Sequence, residues 1–308
     1  MRILVVTSRN PFPPRRGDQL RATQTLEFLR RSHVVHLLAP RSPTAPPPPL
    51  HYEAYEPAGL LARATEMARG LLAGRPLQNA LFRSADLGRR IRSLAPEHDV
   101  VLLQLERLAA HLPDVGDRPL VVDLIDSLAL NLERRADFER PFLRPLLRAE
   151  ARRLLAIERE LLTRAESILV VSERDRRFLA ERCGEDLARK VKVIPLAVIP
   201  GESLPPTQPL SPQVASSAFV LAITGNLGYF PTEDGACWFL REVWPRFRAG
   251  RPSVRLVLAG DRPTRRLRAL AKSAGAELHI SPADLRSIVA GSDLSLAPLR
   301  AGSGLPIK

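Results

Sequence analysis

The sequence predicts an α/β protein built from two Rossmann-like domains facing across a cleft, the second incomplete. Three observations carry this. Short β-branched and leucine-rich runs such as Ile3–Val6 recur along the chain, and continuous apolar runs of that length mark strands buried on both faces of a parallel sheet. Helical patterns separate those runs. The alternation stops at Pro200–Ser217, where Gly, Pro, Gln and Ser replace the apolar periodicity, and it restarts at Phe219. A length of 308 residues also exceeds what one hydrophobic core usually supports. The expected division is therefore a first domain over 1–200, a linker over 201–217 and a second domain over 218–308.

The first strand, Ile3–Val6, gives way to a loop, Ser8–Asp18, stiffened by prolines and carrying Gly17. A helix is expected from Gln19 to Arg31 and a second strand over His33–Leu38. A right-handed crossover then puts the loop at the carboxyl edge of the sheet, where ligands sit in open α/β folds. Arg41–Pro49 reads as a proline-rich surface linker, and 58–73 and 84–94 as helical. Asp99–Gln104 and Leu120–Ser127 read as strands. Asp123 and Asp126 fall on opposite faces of the latter, which predicts one functional Asp and one capping Asp rather than a metal pair. The longest helix spans Arg148–Glu166, with Leu154, Leu155, Ile157, Leu161 and Leu162 apolar and Arg152, Arg153, Glu158, Arg159 and Glu160 on the wet side. A strand at Ser167–Ser172 leads into a helix capped by Ser172, with Asp175 three residues on in the reciprocal position. Val191–Leu196 closes this half.

The second half repeats the scheme. Phe219–Thr224 reads as a strand, Gly225–Pro231 as a glycine-rich turn, and Asp234–Phe247 as a helix with Cys237, Trp238, Leu240 and Trp244 inward. Strands follow at Val254–Gly260, Glu277–Ile280 and Asp293–Ala297, with helices at Thr264–Ala274 and Asp284–Ala290 between them. The last strand hands over to a loop with two glycines and two cations, Arg300, Gly302, Gly304 and Lys308. Glycines let backbone N–H groups approach a phosphate and cations supply charge, so this loop is the leading anion-site candidate.

Lys and Arg number 46 against 33 Asp and Glu, a net charge of +13, which favours anionic partners such as phosphates or an acidic membrane face. Nucleic acid is a weaker fit, because aromatics make up only 5% and no nucleic-acid motif is present. Cys183 and Cys237 are far apart and lack metal-type spacing, so a reducing compartment is expected and a disulfide framework is not. No run of eighteen apolar residues occurs. The first-domain loop has no GxGxxG pattern, which argues against a nicotinamide enzyme.

Taken together, Pro13-Pro14 with Gly17-Asp18 and Arg21, Asp123 with Asp126-Ser127, Ser172-Glu173 with Asp175, Gly225-Asn226-Leu227-Gly228-Tyr229 with Pro231, and Pro298 to Gly304 with Lys308 resemble the glycosyltransferases of family 4, of GT-B fold, in their bacterial exopolysaccharide branch. The resemblance implies transfer of a sugar from a nucleotide diphosphate sugar to a polysaccharide or lipid-linked acceptor, with no metal or other cofactor. Gly17, Gly225, Asn226, Arg300, Gly302, Ser303, Gly304 and Lys308 would then bind the donor. Asp18, Arg21, Asp126, Ser172 and Glu173 would line the acceptor side. The implied setting is cytoplasmic, with peripheral contact to an anionic membrane. The family's Glu-x7-Glu pattern would put its first acid at Ser303 and its second beyond Lys308, so a C-terminally truncated and impaired enzyme is expected, the alternative being an inactive remnant that only binds. No catalytic residue is assigned; His111, after the strand at Asp99–Gln104, reads as part of a surface helix.

Overall fold

The computed structural model describes residues 1–14, 16–44, 50–197 and 218–303. These form two compact units, one reaching Ala197 and one formed by residues 218–302, while Ser303 groups with the first. The expected linker, 201–217, lies outside the described residues, as do 45–49 of the expected proline-rich linker.

The first unit holds seven strands: β1 (Arg2–Thr7), β2 (Val34–Pro40), β3 (His51–Tyr55), β4 (Val100–Gln104), β5 (Leu120–Ile125), β6 (Ser167–Val170) and β7 (Val191–Val193). They lie in the order β3-β2-β1-β4-β5-β6-β7, every neighbouring pair parallel. The side chains of β1 alternate between two cores, which explains its continuous apolar run. Ile3 and Val5 pack with Leu26, Val35 and Leu37 on one face; Leu4 and Val6 pack with Val101, Leu103 and Leu154 on the other. The helix Gly17–Leu29 supplies Leu26 to the first layer, and the helix Arg144–Arg164 supplies Leu154, Leu161 and Leu162 to the second.

Several boundaries move. Gly17, expected in a loop, opens the first helix, which ends at Leu29 and not Arg31. The closing strand stops at Val193, two residues before Pro195, which has no N–H for a ladder. Glu158 was expected on the wet side of the long helix but is fully buried; it stands one turn after Leu154 and one before Leu161 and Leu162, on the apolar stripe.

The second unit holds β8 (Val220–Asn226), β9 (Arg255–Asp261), β10 (Glu277–Ile280) and β11 (Leu294–Leu296), all parallel, in the order β10-β9-β8-β11. Leu221, Ile223, Leu240, Trp244, Leu256 and Leu258 form its main core. The single helix expected over Asp234–Phe247 is three pieces: Phe230–Trp238, a π-helical turn at Phe239–Val243, and Trp244–Ala249. Pro245 accounts for the break, because it lacks the N–H that would bond the Arg241 carbonyl and its ring crowds that oxygen.

Candidate functional site

Each sheet reverses its strand order at its own first strand, and in open parallel sheets the crevice outside the carboxyl ends at such a point receives ligands. In the second unit the reversal lies between β8 and β11. β8 ends in Gly225-Asn226, in register with Gly260-Asp261 of β9. Gly225 and Gly260 have φ of 128° and 152°, and a Cβ at Gly260 would overlap the Gly225 carbonyl oxygen. Only paired glycines let these two strand ends close up. The Asn226 Oδ1 accepts from the Gly228 N–H at 3.1 Å, an Asx turn that leads into the helix Phe230–Trp238 with a proline in its first turn.

The loop leaving β11 lies on that same helix. Gly302, at φ 102°, would place a Cβ 3.3 Å from Pro231 Cγ, and a Cβ at Gly235 would overlap the Pro298 carbonyl oxygen. Gly225, Asn226 and Gly302 are thus gathered at one edge, beside the positive end of a nine-residue helix. Arg300 is tied to the same helix. Its Nε and a terminal nitrogen donate to the two carboxylate oxygens of Asp234, at 3.0 and 2.8 Å, and its guanidinium lies 5.7 Å from the Trp238 ring centroid. It braces the loop to the helix. Gly304 and Lys308 lie outside the described residues.

In the first unit the reversal lies between β1 and β4, where Thr7 is in register with Gln104. Gln104 Nε2 donates to the Asp18 carbonyl at 2.9 Å, which seats the start of the helix Gly17–Leu29 at this edge. Gly17 is exposed there, and the Asp18 carboxylate is paired with Arg9. Arg21, a cleft candidate from sequence, is instead a buried strut: its Nε donates to Asp123 at 2.8 Å and a terminal nitrogen to the carbonyls of Ile194 and Pro195 at 2.8 and 3.3 Å. Burial raises the Asp123 pKa and Arg21 opposes the rise.

The capping Asp expected at 123 or 126 is replaced by Ser127, whose Oγ accepts from the Leu130 N–H at 3.1 Å. Asp126 accepts from the hydroxyl of Ser303 at 2.7 Å and from Asn131 at 3.4 Å, while burial raises its pKa. Ser172 caps its helix as expected, accepting from the Asp175 N–H at 3.2 Å, and Asp175 also accepts from the Ser127 N–H at 3.0 Å. Glu173, on the same helix, is half exposed and paired with Arg176 at 2.8 Å. Ser172 and Glu173 are therefore engaged in local helix contacts.

Sequence reasoning missed two features of this unit. A cavity of about 450 Å³ opens beside the ends of β1, β2 and β3, lined by Ser8, Arg9, Arg41, Tyr55 and Arg63 among others; the buried Ser8 Oγ has no hydrogen-bond partner among the described residues. Glu106, just after β4, is fully buried against Glu158. Burial raises both carboxyls and their proximity raises Glu106 further, which favours a proton shared between them. Ser127 Oγ donates to Glu158 at 2.8 Å. The signal for the pair was Glu158 on the apolar stripe of its own helix, between Leu154 and Leu161. His111, expected on a surface helix, is buried in a 3-10 segment, with Nδ1 2.8 Å from Asp114 and Nε2 accepting from the Ser84 N–H at 3.3 Å.

Backbone strain follows the same edges. The four non-glycine residues with positive φ among those described are Leu105, Ile125, Arg262 and Ser281. Each ends or directly follows a strand: β4, β5, β9 and β10 respectively. Strained backbone of this kind gathers where loops are held for function.

Residues 218–308 match the family described as "Glycosyl transferases group 1". No curated protein sequence matches the chain. Among solved structures, the chain is similar to the catalytic domain of starch synthase IV from Arabidopsis thaliana, at 12% identity over 97% of this chain and 78% of that one, with a TM-score of 0.62. It is similar also to a UDP-forming trehalose-phosphate synthase from Burkholderia xenovorans, at 12% identity over 95% and 77%, TM-score 0.59. An E. coli structure described as trehalose-6-phosphate bound with UDP-2-fluoro glucose matches at 15% identity over 97% and 79%, TM-score 0.56. The two parallel sheets are those of the GT-B fold.

Proposed function

We propose that this chain is a glycosyltransferase that moves a sugar from a nucleoside diphosphate donor to a glycan or lipid-linked acceptor in cell-surface glycan synthesis. The observation that carries the reading is the match of residues 218–308 to the group 1 glycosyltransferases, which falls on the unit whose reversal edge collects Gly225, Asn226 and Gly302. Donor binding is assigned to that edge. Its glycines let the strand ends and the loop close up beside the helix Phe230–Trp238, which offers its positive end to a diphosphate. Ser303, Gly304 and Lys308 extend the same loop in sequence. Charge growing on the leaving diphosphate is met by helix dipole and cation, so the transfer needs no metal cofactor.

The acceptor is assigned to the cavity at the ends of β1–β3, where Arg9, Arg41 and Arg63 stand beside Tyr55. The setting that fits is the cytoplasmic face of a membrane; among the described residues no helix is long and apolar enough to cross one. In support, the starch synthase structure of this shape is bound to ADP and acarbose. Calorimetric titration of UDP-, GDP- and ADP-sugars into the protein tests the reading. Saturable binding of one donor class, weakened about tenfold when Gly302→Val crowds Pro231, is expected; silence across the panel overturns it.

A further inference from the structure

The helix Leu60–Leu72 is packed inside out. Its inward side is made by Arg63, Glu66, Met67 and Gly70, the last buried, with Ala80 Cβ 3.0 Å from where a Gly70 Cβ would stand. A glycine there lets the helix lie tightly on its neighbour Leu77–Phe82 without spending a leucine on the contact. The leucines point the other way. Leu60, Leu61, Leu71 and Leu72 are 84%, 86%, 54% and 90% exposed. At 3.6 residues per turn, these four fall with Ala64 and Ala68, both exposed, on a single stripe about 120° wide.

Every residue of that stripe is apolar. The helix's one carboxylate, Glu66, is turned inward and paired with Arg69 and Arg83 at 3.0 and 3.5 Å. Arg69, flanking the stripe, and Arg75, just past the helix end, are both exposed. An ordinary surface helix buries its leucines in its own domain; this one presents them with arginines alongside. That is the composition of a helix lying in the plane of a bilayer interface, its apolar side chains among acyl chains and its arginine stems reaching up to the headgroups.

We propose that Leu60–Leu72 is an interfacial helix that seats the first unit on a bilayer containing anionic lipid. Charge complementarity decides the occupant. A second copy docked through the same patch with the two helices parallel would bring the same arginines together, whereas anionic headgroups supply the opposite charge in any orientation. The chain's net charge of +13 acts in the same direction. The proposal deepens the membrane contact in the reading above and rests on it for that setting; the test below contains no sugar, so its failure leaves the donor titration standing.

The whole protein is sedimented with vesicles of phosphatidylcholine alone and with vesicles that also contain phosphatidylglycerol. Binding to the anionic vesicles only, weakened by salt, is expected. Leu61→Asp with Leu72→Asp alters the two most exposed leucines of the helix, leaves the melting temperature unchanged, and lowers the vesicle-bound to free ratio about tenfold or more. Arg69→Gln with Arg75→Gln keeps the leucines and lowers it by less, with a weaker salt dependence. No binding to anionic vesicles, or binding that the leucine variant leaves intact, overturns the proposal. So does a concentration-dependent dimer that the leucine variant abolishes, which would give the stripe to a second copy.

Discussion

Both carboxylate oxygens of Asp234 hold Arg300, at 2.8 and 3.0 Å, so the loop that leaves β11 is fastened to the first helix of its own unit. The partners are 66 residues apart in sequence. A bidentate arginine fork fixes direction as well as distance, so this pair shapes the loop around Gly302.

Asp234→Asn tests this directly. It keeps the side chain's size and removes its charge, and because the Arg300 side chain is about a third exposed the loss is discounted to about 1 kcal/mol. Both tryptophans of the chain, Trp238 and Trp244, belong to this unit, so denaturation followed by tryptophan fluorescence reads it selectively. Donor affinity is expected to fall as well, since the loop loses its brace. Arg300→Lys should behave similarly, a point charge being no substitute for the fork.

Gly235→Ala forces a methyl group onto the Pro298 carbonyl, and backbone cannot step aside cheaply. A loss of about 2–3 kcal/mol by the same fluorescence measurement is expected. Gly260→Ala is worse, combining overlap with Gly225 and a φ of 152°. Gly250→Ala, where a Cβ meets nothing within 4 Å, is the control and should leave stability near the wild-type value.

The Glu106–Glu158 pair makes the first unit sensitive to pH. Burial pushes the Glu158 carboxyl up from an ordinary 4.5 to about 7, and Glu106 is raised too. A folded-state pKa above the unfolded value means the folded form holds the proton longer. The contribution is fully present below about pH 4.5 and is lost as pH rises through about 7. Glu158→Gln should flatten the pH dependence of melting followed by far-UV circular dichroism and raise the melting temperature at pH 8. Its loss of stability at alkaline pH would speak against a shared proton.

Arg21→Ala leaves the Asp123 carboxylate buried with no counter-charge and should cost about 3–5 kcal/mol. Arg21→Met with Asp123→Leu removes both charges together and should recover much of that. Double-mutant unfolding measurements check it; a wild-type melting temperature for Arg21→Ala would return Arg21 to a binding role.

How much of this was legible in the sequence depends on the distance over which each residue finds its partner. β1 and β8 could be read because both faces of a central parallel strand are apolar, leaving no polar position to confuse the pattern. β3, His-Tyr-Glu-Ala-Tyr, was missed because an edge strand pairs on one side only and keeps polar residues. The Ser172 cap was legible because its partner is three residues away. Arg21 was assigned to a ligand because its charge has no local signature of burial: Asp123 is 102 residues from Arg21, and only the sheet order brings them together. Glu158 could have been placed correctly, since its spacing from Leu154 and Leu161 puts it on the apolar stripe.

The left-handed residues at the strand ends leave heat resistance in reserve. Arg262 and Ser281 are exposed, so Arg262→Gly or Ser281→Gly would relieve a conformational penalty of about 1 kcal/mol each with little packing to lose. Directed evolution for thermal tolerance should find these two positions early.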